Sequence, residues 1–560
     1  MRRGFLLILF LLATPVAATE PAKRHMVVTA HPAAAAAGLA ILQAGGNAVD
    51  AAIAVQMVLT LVEPQSSGIG GGAFLVLHTA ATNQVTTWDG RETAPAAVTP
   101  NLFLTPDGQS LPFLQAVLGG RAVGVPGAMR MLEAAHKAHG KLPWADLIAP
   151  AIALASKGFP ASSRLAAAIA ADEAQLKRHP TTRAYFLHPD GTPLQAGTTL
   201  ANPALAETLR AIATDGANAL HKGAIAAEIA ATIRADANPG LMTTDDLAAY
   251  QPKQRPPICG IYRAQRICGM GPPSSGGVTV LQILGLLEHF DLPRMDPSSA
   301  EVAMLIGEAS RLAAADRARY LADTDFVPAP ISGLLAADYL TLRAQLIDPA
   351  RANPSPRAGN PRWGGQPRPA PAPAQPENGT SHVSIVDAAG NAVAMTTTVE
   401  ARFGSRLMVR GFILNNQLTD FSFLPEIEGR PIANRVEPGK RPRSSMAPTL
   451  VYSPDGKLAH VLGSPGGGHI IGFVTQTLLH LLDWHATPQT ALAAPHILSR
   501  GDTIELEAAT QAATLAPTLE ARGQRTHIHP LPSGLQAISI TPTGLLGASD
   551  PRQEGTALGE

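Results

Sequence analysis

Thr380-Ser381-His382-Val383-Ser384-Ile385-Val386 and Ala392-Val393-Ala394-Met395-Thr396-Thr397-Thr398 flank the turn-forming run Asp387-Ala388-Ala389-Gly390-Asn391. Val383, Ile385, Val393 and Met395 alternate as in two β-strands, and the Gly-Asn end of the turn supplies the reversal. Pairing symmetric about Ala389 sets Thr380 opposite Thr398. As an ordinary strand residue Thr380 would add only β-propensity. Its position at the very start of a core strand, directly after a proline-rich stretch, suggests a second role. If the Gly379–Thr380 bond is cut, Thr380 becomes an N-terminal residue. A threonine hydroxyl needs an adjacent base to act as a nucleophile, and a new α-amine, with a reference pKa of about 7.7–8.0, is partly unprotonated at neutral pH.

Working outward, residues 349–376 are rich in proline, including Pro367, Pro369, Pro371, Pro373 and Pro376, and read as an exposed, extended linker. Residues 115–350 read as amphipathic helices with polar turns. From His31 to Pro64 the chain is alanine-rich and helical, broken at Gly45-Gly46. The glycine-rich run Ser66-Ser67-Gly68-Ile69-Gly70-Gly71-Gly72 follows a helix and enters a strand, Ala73 to Leu77. A dinucleotide fingerprint has the opposite order, so tight backbone packing is the expected use of these glycines.

Composition narrows the class. With 46% hydrophobic and 15% charged residues, the bulk of the 560-residue chain is suited to a packed core rather than to disorder. Lys+Arg and Asp+Glu are equal at 43 each, so no net positive field draws it to nucleic acid. Met1-Arg2-Arg3, the apolar run Phe5–Ala13 and the small residues Val16-Ala17-Ala18 read as a secretory leader covering residues 1–18. That run is too short to cross a bilayer, so a periplasmic or secreted protein without a membrane anchor is expected. Cys259 and Cys268 lie on two short strands around a turn, compatible with a disulfide in an oxidising compartment or with two buried thiols.

The hairpin supplies the first two of six motifs that follow in order. Asn378-Gly379-Thr380-Ser381-His382-Val383-Ser384, Thr396-Thr397-Thr398, Leu414-Asn415-Asn416-Gln417, Asp420-Phe421-Ser422, Lys440-Arg441-Pro442-Arg443-Ser444-Ser445-Met446 and Gly463-Ser464-Pro465-Gly466-Gly467 resemble the γ-glutamyltransferase family. Upstream, Gly45-Gly46-Asn47-Ala48-Val49-Asp50-Ala51-Ala52, the Ser67–Phe74 run and Arg91-Glu92-Thr93-Ala94-Pro95 match it as well. The resemblance implies an α/β (α+β) fold, a four-layer αββα sandwich of the N-terminal-nucleophile hydrolase type. It also implies self-cleavage of one precursor into a large subunit, 19–379, whose tail is the proline-rich linker 349–379, and a small subunit, 380–560.

The same resemblance assigns roles. Thr380 attacks the γ-amide carbonyl to form an acyl-enzyme, which passes its acyl group to water, an amino acid or a peptide. Thr398 orients the nucleophile, and the backbone N–H groups of Gly466 and Gly467 form the oxyanion hole. Arg91 meets the substrate α-carboxylate with Ser444 and Ser445, an arginine fork suiting a carboxylate. Gln417 and Asp420 hold the α-ammonium. No cofactor and no metal is implied.

Two departures from the family pattern bear on specificity. Glu400 stands where an asparagine is usual, so that it either adds negative charge beside the ammonium or turns away towards Arg402 or Arg406. The stretch Phe423–Arg435 is short, with no aromatic after Phe423, so a reduced lid is expected. That feature favours bulkier amides and keeps a cephalosporin/glutaryl-type acylase as the alternative activity; a non-enzymatic binding protein is the third reading. His527-Ile528-His529 reads as an alternating strand rather than a metal site. His382 and His469 flank catalytic motifs and read equally as buried, hydrogen-bonded histidines or as proton shuttles.

Overall fold

The structure is a computed structural model that describes residues 21–364, 366–373 and 379–560. The leader assigned to residues 1–18 lies outside the described residues, as do Pro376 and Asn378. The hairpin pairs in the expected register: Ser381–Val386 runs antiparallel to Ala392–Thr398, with Met395 opposite Val383, Thr396 opposite His382 and Thr397 opposite Ser381. Asp387 fixes the turn, its Oδ1 accepting from the N–H groups of Ala389 and Asn391, both at 2.9 Å.

This hairpin is the centre of a seven-stranded sheet. In spatial order the strands are Thr556–Gly559, Met26–Thr29, Ser381–Val386, Ala392–Thr398, Gly72–Thr79, Gln84–Gly90 and Lys253–Arg255. A second sheet of six strands faces it: Gly544–Ser549, Gln536–Thr541, Leu458–Gly463, Thr449–Tyr452, Gln265–Gly269 and Ile258–Tyr262. Alternation along the strands builds the layers. Val27, Leu75, Val383, Ile385, Val393 and Met395 point outward into a core with the helices Pro32–Gln43 and Ala48–Val62. Val28, Phe74, Val76, Val386, Ala392 and Ala394 point inward, against Leu450, Leu462 and Ile538 of the second sheet. Helices Gly276–Leu287, Ala300–Tyr320 and Ile470–Leu482 pack on that sheet's other face. The outcome is the expected four-layer αββα sandwich.

Residues before and after the Gly379–Thr380 bond alternate within the first sheet. Met26–Thr29 lies between Thr556–Gly559 and Ser381–Val386, and Gly72–Thr79 pairs with Ala392–Thr398. Backbone ladders therefore join the two halves independently of that bond. The glycine-rich run packs as expected: a Cβ on Gly70 would sit 2.1 Å from the Ile413 carbonyl oxygen, and one on Gly71 2.0 Å from that of Thr398. Of the two readings for the cysteines, the structure has the disulfide Cys259–Cys268. No helix among the described residues is long and apolar enough to cross a membrane.

The linker departs from expectation in one respect. Its described residues form no helix or strand, as the prolines dictate, yet they are not uniformly exposed. Ala370 and Ala372 are buried against Ile432, and Trp363 packs edge-on against Tyr320. Small alanines between the prolines let an extended backbone lie flat on its neighbours.

Candidate active site

Thr380 and Thr398 end the two hairpin strands on the face that looks towards the second sheet. Thr380 Oγ1 is 3.3 Å from Thr398 Oγ1, which also accepts the Glu400 N–H at 2.8 Å. Thr398 is thereby fixed, and it holds the Thr380 hydroxyl in place. Thr380 is a β-branched residue with φ +122°, a conformation that costs on the order of 1–3 kcal/mol. Gly379 has φ +84°, and a Cβ there would stand 2.0 Å from the Glu400 carbonyl oxygen. Only glycine fits before this threonine.

The cavity beside Thr380 is lined by Arg91, Thr398, Glu400, Gln417, Asp420, Ser444, Ser445, Met446, Gly467 and Ile470. The structure thus brings together all the expected catalytic and substrate-binding residues except Gly466, which adjoins Gly467, and it adds Met446 and Ile470. In the continuous chain the opening is about 20 Å³, room for roughly one water.

Arg91 is buried and held on three sides. Its Nε donates to the Pro442 carbonyl at 3.1 Å; its Nη2 donates to the Arg443 carbonyl at 3.0 Å and pairs with Asp420 Oδ2. The same Asp420 oxygen accepts from Gln417 Nε2 at 2.7 Å. The groups assigned to a carboxylate and to an ammonium therefore touch each other, presenting a paired cation and anion. Ser445 Oγ accepts from Arg317 Nη2 at 2.5 Å, and Arg317 Nε donates to Ser275 Oγ at 2.7 Å. Arg317 was not anticipated, because it lies mid-helix in Ala300–Tyr320 with no motif around it. Glu400 lines the cavity and pairs with Asn416 Nδ2, while Arg406 binds Asp172 at 2.8 Å. Glu400 therefore faces the site.

The glycine turn comes from the opposite sheet. Strand Leu458–Gly463 runs into Gly466 and Gly467, whose φ values are +128° and +56°, and the turn leads into helix Ile470–Leu482. Positive φ at two successive residues is least costly for glycine, and the turn brings backbone N–H groups to a helix N-terminus, a favourable place for developing negative charge. Phe423 does not reach the site; it stacks on Phe103 at 4.6 Å. After it comes only the short hairpin Glu426–Ile427/Arg430–Pro431, next to the buried linker residue Ala370.

His382 is fully buried between Thr396 Oγ1 at 2.8 Å and Ser384 Oγ at 3.1 Å. Burial pushes its pKa down to about 3, so it stays neutral and structural rather than shuttling protons. Glu92, next to Arg91 in the same motif, is also fully buried, and neither carboxyl oxygen makes a hydrogen bond. Desolvation outweighs the neighbouring Arg91 and pushes its pKa up to about 8. Unfolding restores an ordinary carboxyl near 4.5, so between about pH 4.5 and 8 the folded chain holds a proton the unfolded chain has lost. Stability contributed by Glu92 is complete below that window and falls as pH rises through it. Glu92→Gln should flatten this slope, measured as urea unfolding midpoints at both ends of the window; an unchanged difference contradicts the buried neutral acid.

A sequence profile described as Gamma-glutamyltranspeptidase matches residues 34–560. The chain is 40% identical over 549 residues to the glutathione hydrolase proenzyme of Bacillus subtilis (strain 168), covering 96% of this chain and 92% of that protein. It is 37% identical to the acylase ACY 1 proenzyme of Pseudomonas sp. (strain SE83), covering 96% and 93%. Among solved structures, the cephalosporin acylase from Bacillus halodurans superposes with a TM-score of 0.86 over 99% of both chains, at 28% identity.

Proposed function

Because the chain belongs to the γ-glutamyltranspeptidase family, we propose that its nucleophile is Thr380, freed by cleavage of the Gly379–Thr380 bond, and that the acyl group it carries is γ-glutamyl. The protein is a hydrolase and acyltransferase. The observation that carries the reading is the placement of the Thr380 hydroxyl, 3.3 Å from Thr398 Oγ1, in the same cavity as the Arg91–Asp420 pair. An α-amino acid zwitterion is the complement of such a pair: its carboxylate meets Arg91 and the serines, and its ammonium meets Asp420 and Glu400.

Processing and turnover then use one group twice. In the precursor, Thr380 Oγ1 attacks the Gly379 carbonyl carbon, the peptide C–N bond breaks, and an ester forms with the nitrogen left as the Thr380 amine. Water hydrolyses that ester, releasing Gly379 as a carboxylate. The strained φ of Thr380 is relieved by this step. The narrow opening in the continuous chain agrees with a precursor that admits no donor. In turnover the Thr380 amine takes the hydroxyl proton, Oγ1 attacks the γ-carbonyl, and the oxyanion meets the N–H groups of Gly466 and Gly467. The proton passes to the departing amine, and water or an acceptor amine then takes the acyl group. One oxyanion donor contributes about 2.7–4 kcal/mol in comparable hydrolases.

The subunits would be 19–379 and 380–560, held together by the interleaved ladders of the first sheet. The disulfide agrees with export to the periplasm or the exterior. The acylase reading is favoured by the short hairpin after Phe423 and by the fit to a cephalosporin acylase. It is the weaker one, since a glutaryl group has no ammonium to set against Glu400 and Asp420. Rates with a γ-glutamyl anilide and a glutaryl anilide decide between them. The first should exceed the second at least tenfold in kcat/KM; the reverse order overturns the γ-glutamyl assignment.

A further inference from the structure

Beyond the glycine turn lies a three-stranded sheet that the reaction does not use: Ile497–Arg500, Thr503–Glu507 and Arg525–His529. The last two strands pair in parallel, setting Glu505 beside His527. Ile504 and Leu506 enter a small core with Ala303, Met304 and Leu519, which turns Glu505 to the other face. There it meets three histidines from two segments. Glu505 Oε2 is 2.6 Å from His469 Nε2, and Oε1 is 3.4 Å from His529 Nε2. His529 Nε2 is buried and makes no hydrogen bond, and its ring stacks on that of His527 at 4.4 Å.

We propose that Glu505, His527 and His529 bind one divalent transition-metal ion of the imidazole-preferring class that includes Zn²⁺ and Ni²⁺. Their candidate ligand atoms all lie within 4.8 Å of one another. Bonds of about 2.0–2.1 Å in tetrahedral geometry put ligand atoms roughly 3.4 Å apart. The Glu505–His529 pair already has that separation, and a modest turn of the His527 ring completes three ligands. A cleft of about 650 Å³ has Glu505 and His527 in its wall and gives an ion access from solvent. With the ion on Oε1, Oε2 keeps His469, an outer-shell arrangement that fixes a histidine ring through a ligating carboxylate. His469 directly follows Gly466–Gly468, so the ion clamps the sheet to the turn without entering the chemistry. This site stands independently of the role given to Thr380.

The test is calorimetric titration of Zn²⁺ into chelator-stripped full-length protein at neutral pH, with the visible spectrum of the Co²⁺ form as a second readout. One ion per chain is expected, with tetrahedral Co²⁺ bands. His529→Ala and His527→Ala should each weaken binding at least tenfold and remove the bands, while His289→Ala, at an exposed histidine outside the cluster, leaves both unchanged. His527 is exposed, so its variant tests the site even where His529→Ala disturbs folding. Wild-type affinity in His527→Ala, or no saturable binding up to about 1 mM ion, overturns the proposal.

Discussion

Thr380→Ala leaves the protein as one uncut polypeptide and lowers turnover on the order of a million-fold, the loss seen when a hydrolase nucleophile is removed. Both effects follow from one atom. In the proposed mechanism the hydroxyl that attacks the Gly379 carbonyl in the precursor is the one that attacks the donor afterwards, and alanine has neither this oxygen nor a cleaved amine. The fold should survive, because the hairpin register is set by the Asp387 turn and the flanking strands rather than by Thr380. Thr380→Ser keeps the oxygen and should retain both cleavage and measurable turnover. Gel electrophoresis and a γ-glutamyl anilide assay read the two effects separately. Normal cleavage in Thr380→Ala contradicts the account.

Arg91→Lys carries the second largest expected effect, and its pattern is different. Lysine preserves the charge but loses the planar fork. It cannot serve the Pro442 and Arg443 carbonyls and Asp420 together. A hydrogen bond to a charged group contributes about 1.5–3 kcal/mol, so loss of one from the fork should lower kcat/KM for a γ-glutamyl donor by a factor of about 10 to 150. Processing should proceed normally, since Gly379, Thr380 and Thr398 are untouched. Normal donor use in correctly cleaved Arg91→Lys contradicts the zwitterion pocket.

The hairpin was legible because its signals are local. Alternation of Val383, Ile385, Val393 and Met395 and a five-residue turn determine the register, and the register places Thr380 against Thr398. The layers followed from resemblance, not from periodicity, since many strands here have side chains buried on both faces and show little alternation of polarity. The direct Arg91–Asp420 pairing was not legible, because the two residues lie 329 positions apart and neither motif names the other as partner. Arg317 gave no signal at all, and Glu505 joins His527 and His529 only through a parallel pairing that no local pattern encodes. The linker was misjudged in part: proline content correctly excludes helix and strand, but burial of Ala370 depends on Ile432, 62 residues on.

The central claim is that Thr380 becomes a chain terminus whose hydroxyl and amine act together. N-terminal sequencing with intact-mass analysis of the purified protein tests it most directly. Two chains are expected, the smaller beginning Thr380-Ser381-His382. A single uncut chain in active enzyme, or a smaller chain that starts at any other residue, contradicts it.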